Sequence, residues 1–267
     1  MTRGRVLLAV VAAGLAACTA GGPGASASPR AADLTVYGAA SLAGALDAVK
    51  MAYEAAAPGA ALTISADSSA ALETQIEQGA PADVFLAADT THPQKLVDGG
   101  FAAGDAVAFA GNELAVIVPK GNPGRIATPA DLARSGVKIV AAGDEVPITA
   151  YASRLVENLA QVPGYPADFE AGYARNVVSK EDNVKAVVAK VGLGEGDAGI
   201  VYATDAKASQ DVETVPIPEG ANLPATYAGV VVKASPHVEA ARTFLDWLAG
   251  PAGQAILQQS GFLPPPT

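Results

Sequence analysis

Four short stretches of this chain put small hydroxyls and unpaired amides where helices should begin, the first two directly behind an apolar run of strand length. The first is Gly38-Ala39-Ala40-Ser41-Leu42, with Ser41 at the expected N-cap position, and the second is Ala66-Asp67-Ser68-Ser69-Ala70. In the third, Gly143-Asp144-Glu145-Val146-Pro147-Ile148-Thr149, Pro147 sets the first turn and the Ile148 amide lacks a partner inside the helix. In the fourth, Glu181-Asp182-Asn183-Val184, Asn183 or Asp182 caps and the Val184 amide is left over. Amides of a first helical turn have no intrahelical acceptor and sit at the positive end of the macrodipole. Several such starts meeting in one place would hold an anion without any Lys or Arg. Tyr202, closing a strand, would add a neutral phenolic donor. Any one start alone is better explained by ordinary capping, and Tyr202 alone by half-buried packing. Spacing does not say whether the four converge.

The elements that must position these residues follow from periodicity. Strands are expected at Leu34–Tyr37, Ala61–Ile64, Asp83–Ala87, Glu113–Pro119, Val137–Ala141, Gly199–Tyr202, Val212–Ile217 and Tyr227–Lys233. Helices are expected at Ser41–Ala57, Ala70–Gln78, Gln94–Asp98, from Thr128-Pro129, at Ile148–Leu159 and Val184–Val191, and from Ser235-Pro236 onward. In the first helix, Leu42, Leu46, Val49, Tyr53 and Ala56 recur at alternating steps of four and three. Strands separated by helices predict an α/β protein of two lobes, each a mainly parallel sheet flanked by helices. Residues 32–112 plus 225–267 are assigned to lobe I and 113–224 to lobe II, with function at the carboxyl ends of the strands. The Glu113–Pro119 strand and a return near Pro218–Val230 are the connections expected to bend.

Residues 1–31 stand apart from this pattern. Arg3 and Arg5 precede an apolar run from Val6 to Ala17 that is too short to span a bilayer and fits a secretory signal. Leu15-Ala16-Ala17-Cys18 has the form of a lipobox, with Cys18 as the lipidated mature N-terminus, and Gly21–Pro29 reads as a flexible tether. Cys18 is the chain's single cysteine, so the folded part has neither disulfide nor thiol chemistry. The net charge is -10, and without Arg3 and Arg5 it is -12, with 15 basic against 27 acidic residues. No basic stripe exists, which argues against nucleic acid. A donor-lined cleft on an acidic protein is not contradictory, because salt screens the distant surface over about 10 Å.

Enzymatic chemistry finds little support. The stretch around Ser41 lacks the glycine spacing of a nucleophile elbow. His92, before Pro93, and His237, after Pro236, read as exposed turn or helix-start residues, and two histidines do not make a usual zinc site. Gly192-Leu193-Gly194-Glu195-Gly196 precedes a strand, the wrong order for a dinucleotide loop.

On these residues the chain resembles the periplasmic molybdate-binding proteins of ABC transporters, from about Asp33 to Phe262. The likeness rests on Ala39-Ala40-Ser41-Leu42, Gln75 to Asp89, Val146-Pro147, Asp197-Ala198-Gly199-Ile200-Val201-Tyr202, and the closing Gly250-Pro251 with Gly261-Phe262. It implies a type II periplasmic binding protein fold with the oxyanion between the lobes. Carried over, Ser41 and Ser69 offer hydroxyl and amide, Ile148 and Val184 amides, and Tyr202 its hydroxyl. Ile148 is bulkier than the residue many relatives have after Val-Pro, and the register from Leu72 favours Ser69 over Ser68 as the contact. The resemblance further implies molybdate or tungstate as ligand, no cofactor, no enzymatic activity and a permease as partner. A lipid-anchored, extracytoplasmic monomer is the expected form. Molybdate at neutral pH carries no proton, so a site made only of donors suits it, whereas monohydrogen phosphate would want an acceptor. A smaller anion such as sulfate would leave buried donors unsatisfied, at about 1–3 kcal/mol each. A binding protein for sulfate or thiosulfate is the alternative, and a hydrolase a more distant one.

Overall fold

Stretches of β-branched and aliphatic residues four to seven long form ten strands, and the 3.6-period stripes between them form nine α-helices, across the residues described, Met1 and 32–266 of a computed structural model. The expected lipobox at Cys18 and the tether lie outside the described residues. One sheet holds β1 (Asp33–Ala39), β2 (Ala61–Asp67), β3 (Val84–Ala87), β4 (Val107–Asn112) and β10 (Ala225–Val231), in the order β2-β1-β3-β10-β4. The other holds β5 (Leu114–Pro119), β6 (Ile139–Ala142), β7 (Val177–Glu181), β8 (Ala198–Tyr202) and β9 (Val212–Val215), in the order β7-β6-β8-β5-β9.

Within each sheet one strand runs against the rest: β10 is antiparallel to β3 and β4, and β5 is antiparallel to β8 and β9. These are the two strands that receive the chain as it crosses from sheet to sheet. Glu113 alone separates β4 from β5, and residues 216–224 separate β9 from β10. Every residue of β5 is buried and the strand is bonded on both sides, and Glu113, the first residue of the connection expected to bend, is the one residue between β4 and β5. Strands β3, β5 and β8 are buried along their whole length because helices cover both sheet faces, whereas β2 and β7, at edges, keep alternating exposure.

The helices are α1 (Ala43–Ala56), α2 (Ser69–Glu77), α3 (Thr91–Asp98), α4 (Pro147–Ala160), α5 (Phe169–Asn176), α6 (Val184–Gly192), α7 (Ala203–Ala208), α8 (Val238–Ala249) and α9 (Pro251–Gln259). Helix α1 buries Ala45, Leu46, Val49 and Tyr53, and Tyr53 meets Phe244 and Trp247 of α8 edge-on, with ring centroids 4.9 and 5.1 Å apart. Its close approach to β1 depends on Gly38, where a Cβ would stand 2.4 Å from Leu46 Cδ1. Five elements escaped the sequence reading: β4, α5, β7, α7 and α9. Four of them are short pieces with weak periodicity that tertiary contacts hold in place, and α9 hides behind Gly250-Pro251, a proline at its first position. Among the described residues no helix is long and apolar enough to cross a membrane.

Candidate functional site

The carboxyl ends of β1, β2, β6, β7 and β8 each lead directly into a turn or helix start, and this is where the sequence-selected residues fall. Beyond β1 the chain makes a 3-10 turn, Ala40–Leu42, before α1. Ser41 therefore sits inside this turn and is not a cap as expected: Ala39 and Leu42 occupy the cap positions, and neither has a side-chain cap bond. Its hydroxyl is instead 2.9 Å from the Tyr227 hydroxyl. Beyond β2, Ser68 caps α2 by accepting from the Ala71 amide at 3.3 Å, and Ser69 opens the helix. The Ser69 oxygen accepts from the Ala88 amide at 3.1 Å, so its proton is directed elsewhere.

On the other sheet, Val146 precedes Pro147, the first residue of α4, and Ile148 follows. Asn183 caps α6 by accepting from the Ala186 amide at 3.1 Å, which settles Asn183 over Asp182 as the cap and makes Val184 the first helical residue. Neither the Ile148 nor the Val184 amide has an acceptor among the described residues, as the first turn of a helix requires. Tyr202 ends β8, and its hydroxyl donates to the Ala88 carbonyl at 3.2 Å, long for an O–H donor. Burial, reinforced by Tyr227 and Tyr151 close by, pushes the Tyr202 hydroxyl well above the usual phenol range, so it stays a donor.

Ser41, Ser69, Ile148, Val184 and Tyr202 line one small cavity with Ala39, Ala40, Ser68, Ala88, Val146, Pro147 and Asn183, around a space of about 10 Å³. Each of the five is buried, Ser41 the most exposed at 5 %. No Lys, Arg, His, Asp or Glu lines it. Bonds between the two sheets' elements close it: the Asn183 side-chain amide donates to Asp67 Oδ1 at 3.3 Å, and Tyr202 reaches Ala88. A larger cavity, about 640 Å³, lies between α4 and α5, and Ile148 borders both. Size would favour it as a ligand pocket. Its wall of Ala, Val and Ile carries Asp144 paired with Lys180, the carboxylates of Glu157 and Glu170, and the hydroxyls of Thr149, Ser153 and Tyr173, a net negative lining that suits an anion poorly. The small cavity is the site whose chemistry is specific.

The structure corrects the reading of His92. It is buried, with Nδ1 2.7 Å from Asp89 Oδ2 and Nε2 3.6 Å from Glu73 Oε2, and Lys95 Nζ lies 3.6 Å from the same Glu73 oxygen. Pro93 falls inside α3 and does not end it, so the ring turns inward to two carboxylates and touches no serine. His237 is exposed, as expected; its amide donates to Ser235 Oγ, and Ser235 in turn donates to Asp83 at 2.5 Å, which leaves no activated hydroxyl.

The residues behind the cavity carried no sequence signal. Tyr227, Asn112 and Thr204 form a buried chain from Ser41: Asn112 Nδ2 donates to the Tyr227 hydroxyl at 3.3 Å and to Thr204 Oγ1 at 2.9 Å. Tyr227 stands 186 positions from Ser41, beyond any local pattern. Close by, Asp205 is fully buried, with Lys185 Nζ 3.2 Å from Oδ1 in an ion pair whose angles do not make a hydrogen bond. Burial raises its carboxyl above the usual range, opposed by Lys185. The folded state thus holds this proton more tightly than the unfolded chain, so Asp205 costs stability once pH rises above the unfolded value. Asp205→Asn should therefore gain thermal stability relative to the parent near pH 7 and much less near pH 4. A gain independent of pH in parallel melting curves would remove the carboxylate as its cause.

Comparison with known proteins gives the family and the fold. The profile of the family described as bacterial extracellular solute-binding protein matches residues 34–263. The chain is 36% identical over 261 residues to the molybdate-binding protein ModA of Mycobacterium tuberculosis, covering 96% of this chain and 95% of the relative. The periplasmic molybdate-binding protein of Azotobacter vinelandii superposes with a TM-score of 0.72 at 25% identity, over 87% of this chain and 100% of its own. The sulfate-binding protein SubI of M. tuberculosis shares the fold, with a TM-score of 0.77 at 21% identity and 87% coverage of both chains.

Proposed function

The chain belongs to the bacterial extracellular solute-binding protein family, and on that premise we propose that it captures molybdate, with tungstate nearly equivalent, and delivers it to an ABC importer. The carrying observation is the shared cavity: two serine hydroxyls, two helix-start amides and a buried phenol converge with no charged side chain among them. Such a wall replaces the water shell of a fully deprotonated oxyanion donor for donor. Ser41 and Ser69 bind from one side, Ile148, Val184 and Tyr202 from the other. The long Tyr202–Ala88 bond leaves the phenol proton able to turn to the anion. The two sheets serve as lobes, residues 32–112 with 225–267 and residues 113–224, which part at Glu113 and at 216–224 to admit the ligand. The permease then recognises the closed form. The protein acts outside the cytoplasm, held to the membrane by lipid on Cys18, and performs no catalysis. The identity to a molybdate-binding relative over nearly the whole chain supports molybdate over sulfate; the sulfate-binding relative supports the fold alone.

Titration calorimetry with molybdate, tungstate, sulfate and monohydrogen phosphate tests this. Tight binding of the first two and weak or no binding of the others is expected. At a hundredfold excess over Kd, molybdate should add about 2.7 kcal/mol of stability. Sulfate bound as tightly as molybdate would overturn the assignment.

A further inference from the structure

The direction of the hydrogen bonds behind Ser41 bears on how the site tells anions apart. Asn112 Oδ1 accepts from the Glu113 amide at 2.9 Å, which orients the side chain and leaves only Nδ2 facing inward. That nitrogen donates to Thr204 Oγ1 and to the Tyr227 hydroxyl. Having accepted there, Tyr227 keeps its own proton, and the one remaining partner within reach among the described residues is Ser41 Oγ, 2.9 Å away. Ser41 Oγ then accepts from Tyr227, and its proton is left for the cavity. All four side chains are buried, at 6 % exposure or less, where hydrogen bonds between neighbours are strengthened by the low local dielectric. Burial also drives the Tyr227 hydroxyl well above the usual phenol range, so its proton is always present.

We propose that Asn112 and Tyr227 are positioning residues that lock Ser41 as a donor and thereby set the site's preference for oxyanions carrying no proton. A hydroxyl left free to rotate could accept from a protonated anion as easily as donate to a bare one. The relay disfavours the first option: with one lone pair of Ser41 taken by Tyr227 and its proton aimed into the cavity, a monohydrogen oxyanion meets a donor where it needs an acceptor. Ser69 is held in the same sense by the Ala88 amide, through main chain alone. Selectivity at Ser41 is therefore adjustable by side-chain change, while at Ser69 it is built into the backbone. Asn112 is the last residue of β4, Tyr227 lies on β10, and Thr204 belongs to α7 beside the other sheet, so the relay runs across the crossing between sheets. The inference rests on the proposed oxyanion function.

A double-mutant cycle tests it, with molybdate and monohydrogen phosphate titrated into the parent, Tyr227→Phe, Ser41→Ala and the double variant at pH 8. Tyr227→Phe keeps the ring, which packs against Phe109, Tyr202 and Phe262. It should weaken molybdate by about tenfold and narrow the molybdate-to-phosphate affinity ratio by a similar factor. In the Ser41→Ala background the same change should do almost nothing, because the relay acts through that hydroxyl. Equal effects in both backgrounds, or an unchanged ratio, would overturn the proposal. Asn112→Asp supplies a second probe should Tyr227→Phe fold poorly: a carboxylate there accepts from Tyr227, turns Ser41 around, and should weaken molybdate more than Tyr227→Phe does. Equal or smaller loss overturns the relay. A parent protein that binds no molybdate would instead overturn the function itself.

Discussion

Val184→Pro is expected to weaken molybdate binding by roughly 100-fold or more while leaving the unliganded fold intact. Val184 is the first residue of α6, a position where proline is favoured because its missing N–H had no helical partner. Asn183 before it is already extended, at φ -157 and ψ 169, as the residue before a proline should be. The only hydrogen-bond donor removed is the helix-start amide that is proposed to bind the anion. A hydrogen bond to a charged acceptor is worth about 1.5–3 kcal/mol, or roughly 10- to 150-fold in affinity. The proline ring also places a carbon where the proton stood, which adds a steric term. Val184→Ala, which keeps the amide, should bind within a few-fold of the parent. Calorimetry on the pair decides the matter, and equal affinities for the two would place the anion away from α6.

Asn183→Asp should act more strongly still, with binding at neutral pH reduced by roughly 1000-fold. Aspartate caps a helix as well as asparagine does, so α6 keeps its Ala186 bond and its start. What changes is the other half of the side chain. The amide that donates to Asp67 Oδ1 at 3.3 Å becomes a second carboxylate facing the first, beside a doubly charged ligand. At an effective dielectric of about 20, like unit charges about 4 Å apart repel by about 4 kcal/mol. Both the closure between the sheets' elements and the anion suffer. Two facing carboxylates raise one pKa, and protonation there relieves the repulsion, so affinity should recover as pH falls from 7 towards 5. Asn183→Ala loses the cap, at about 1 kcal/mol of stability, but introduces no charge and should show no such recovery. A pH-independent loss in Asn183→Asp would point to closure geometry, not charge.

The contrast between these two neighbours shows what is local in this protein. That a helix begins at Val184, and that its first amide has no partner, follows from residues within four positions, because capping and helix-start geometry are set by the adjacent chain. The same reasoning made Ser69, Ile148 and Tyr202 candidates and let hydrophobic periodicity separate strands from helices over most of the chain. Short elements such as β7 and α7 escaped it, since a few residues of weak pattern take their form from the sheet or helix they pack on.

Local chemistry could propose four helix starts; it had no means of aiming them at one point. Their meeting in a single cavity depends on two sheets whose strands come from distant parts of the chain. The same holds for the Asn183–Asp67 contact across 116 positions and for Tyr227 behind Ser41. Each is a contact of burial and orientation between groups far apart in sequence. Periodicity and capping report only on neighbours, so the donors were readable from the residues, and their direction was decided by the packed fold.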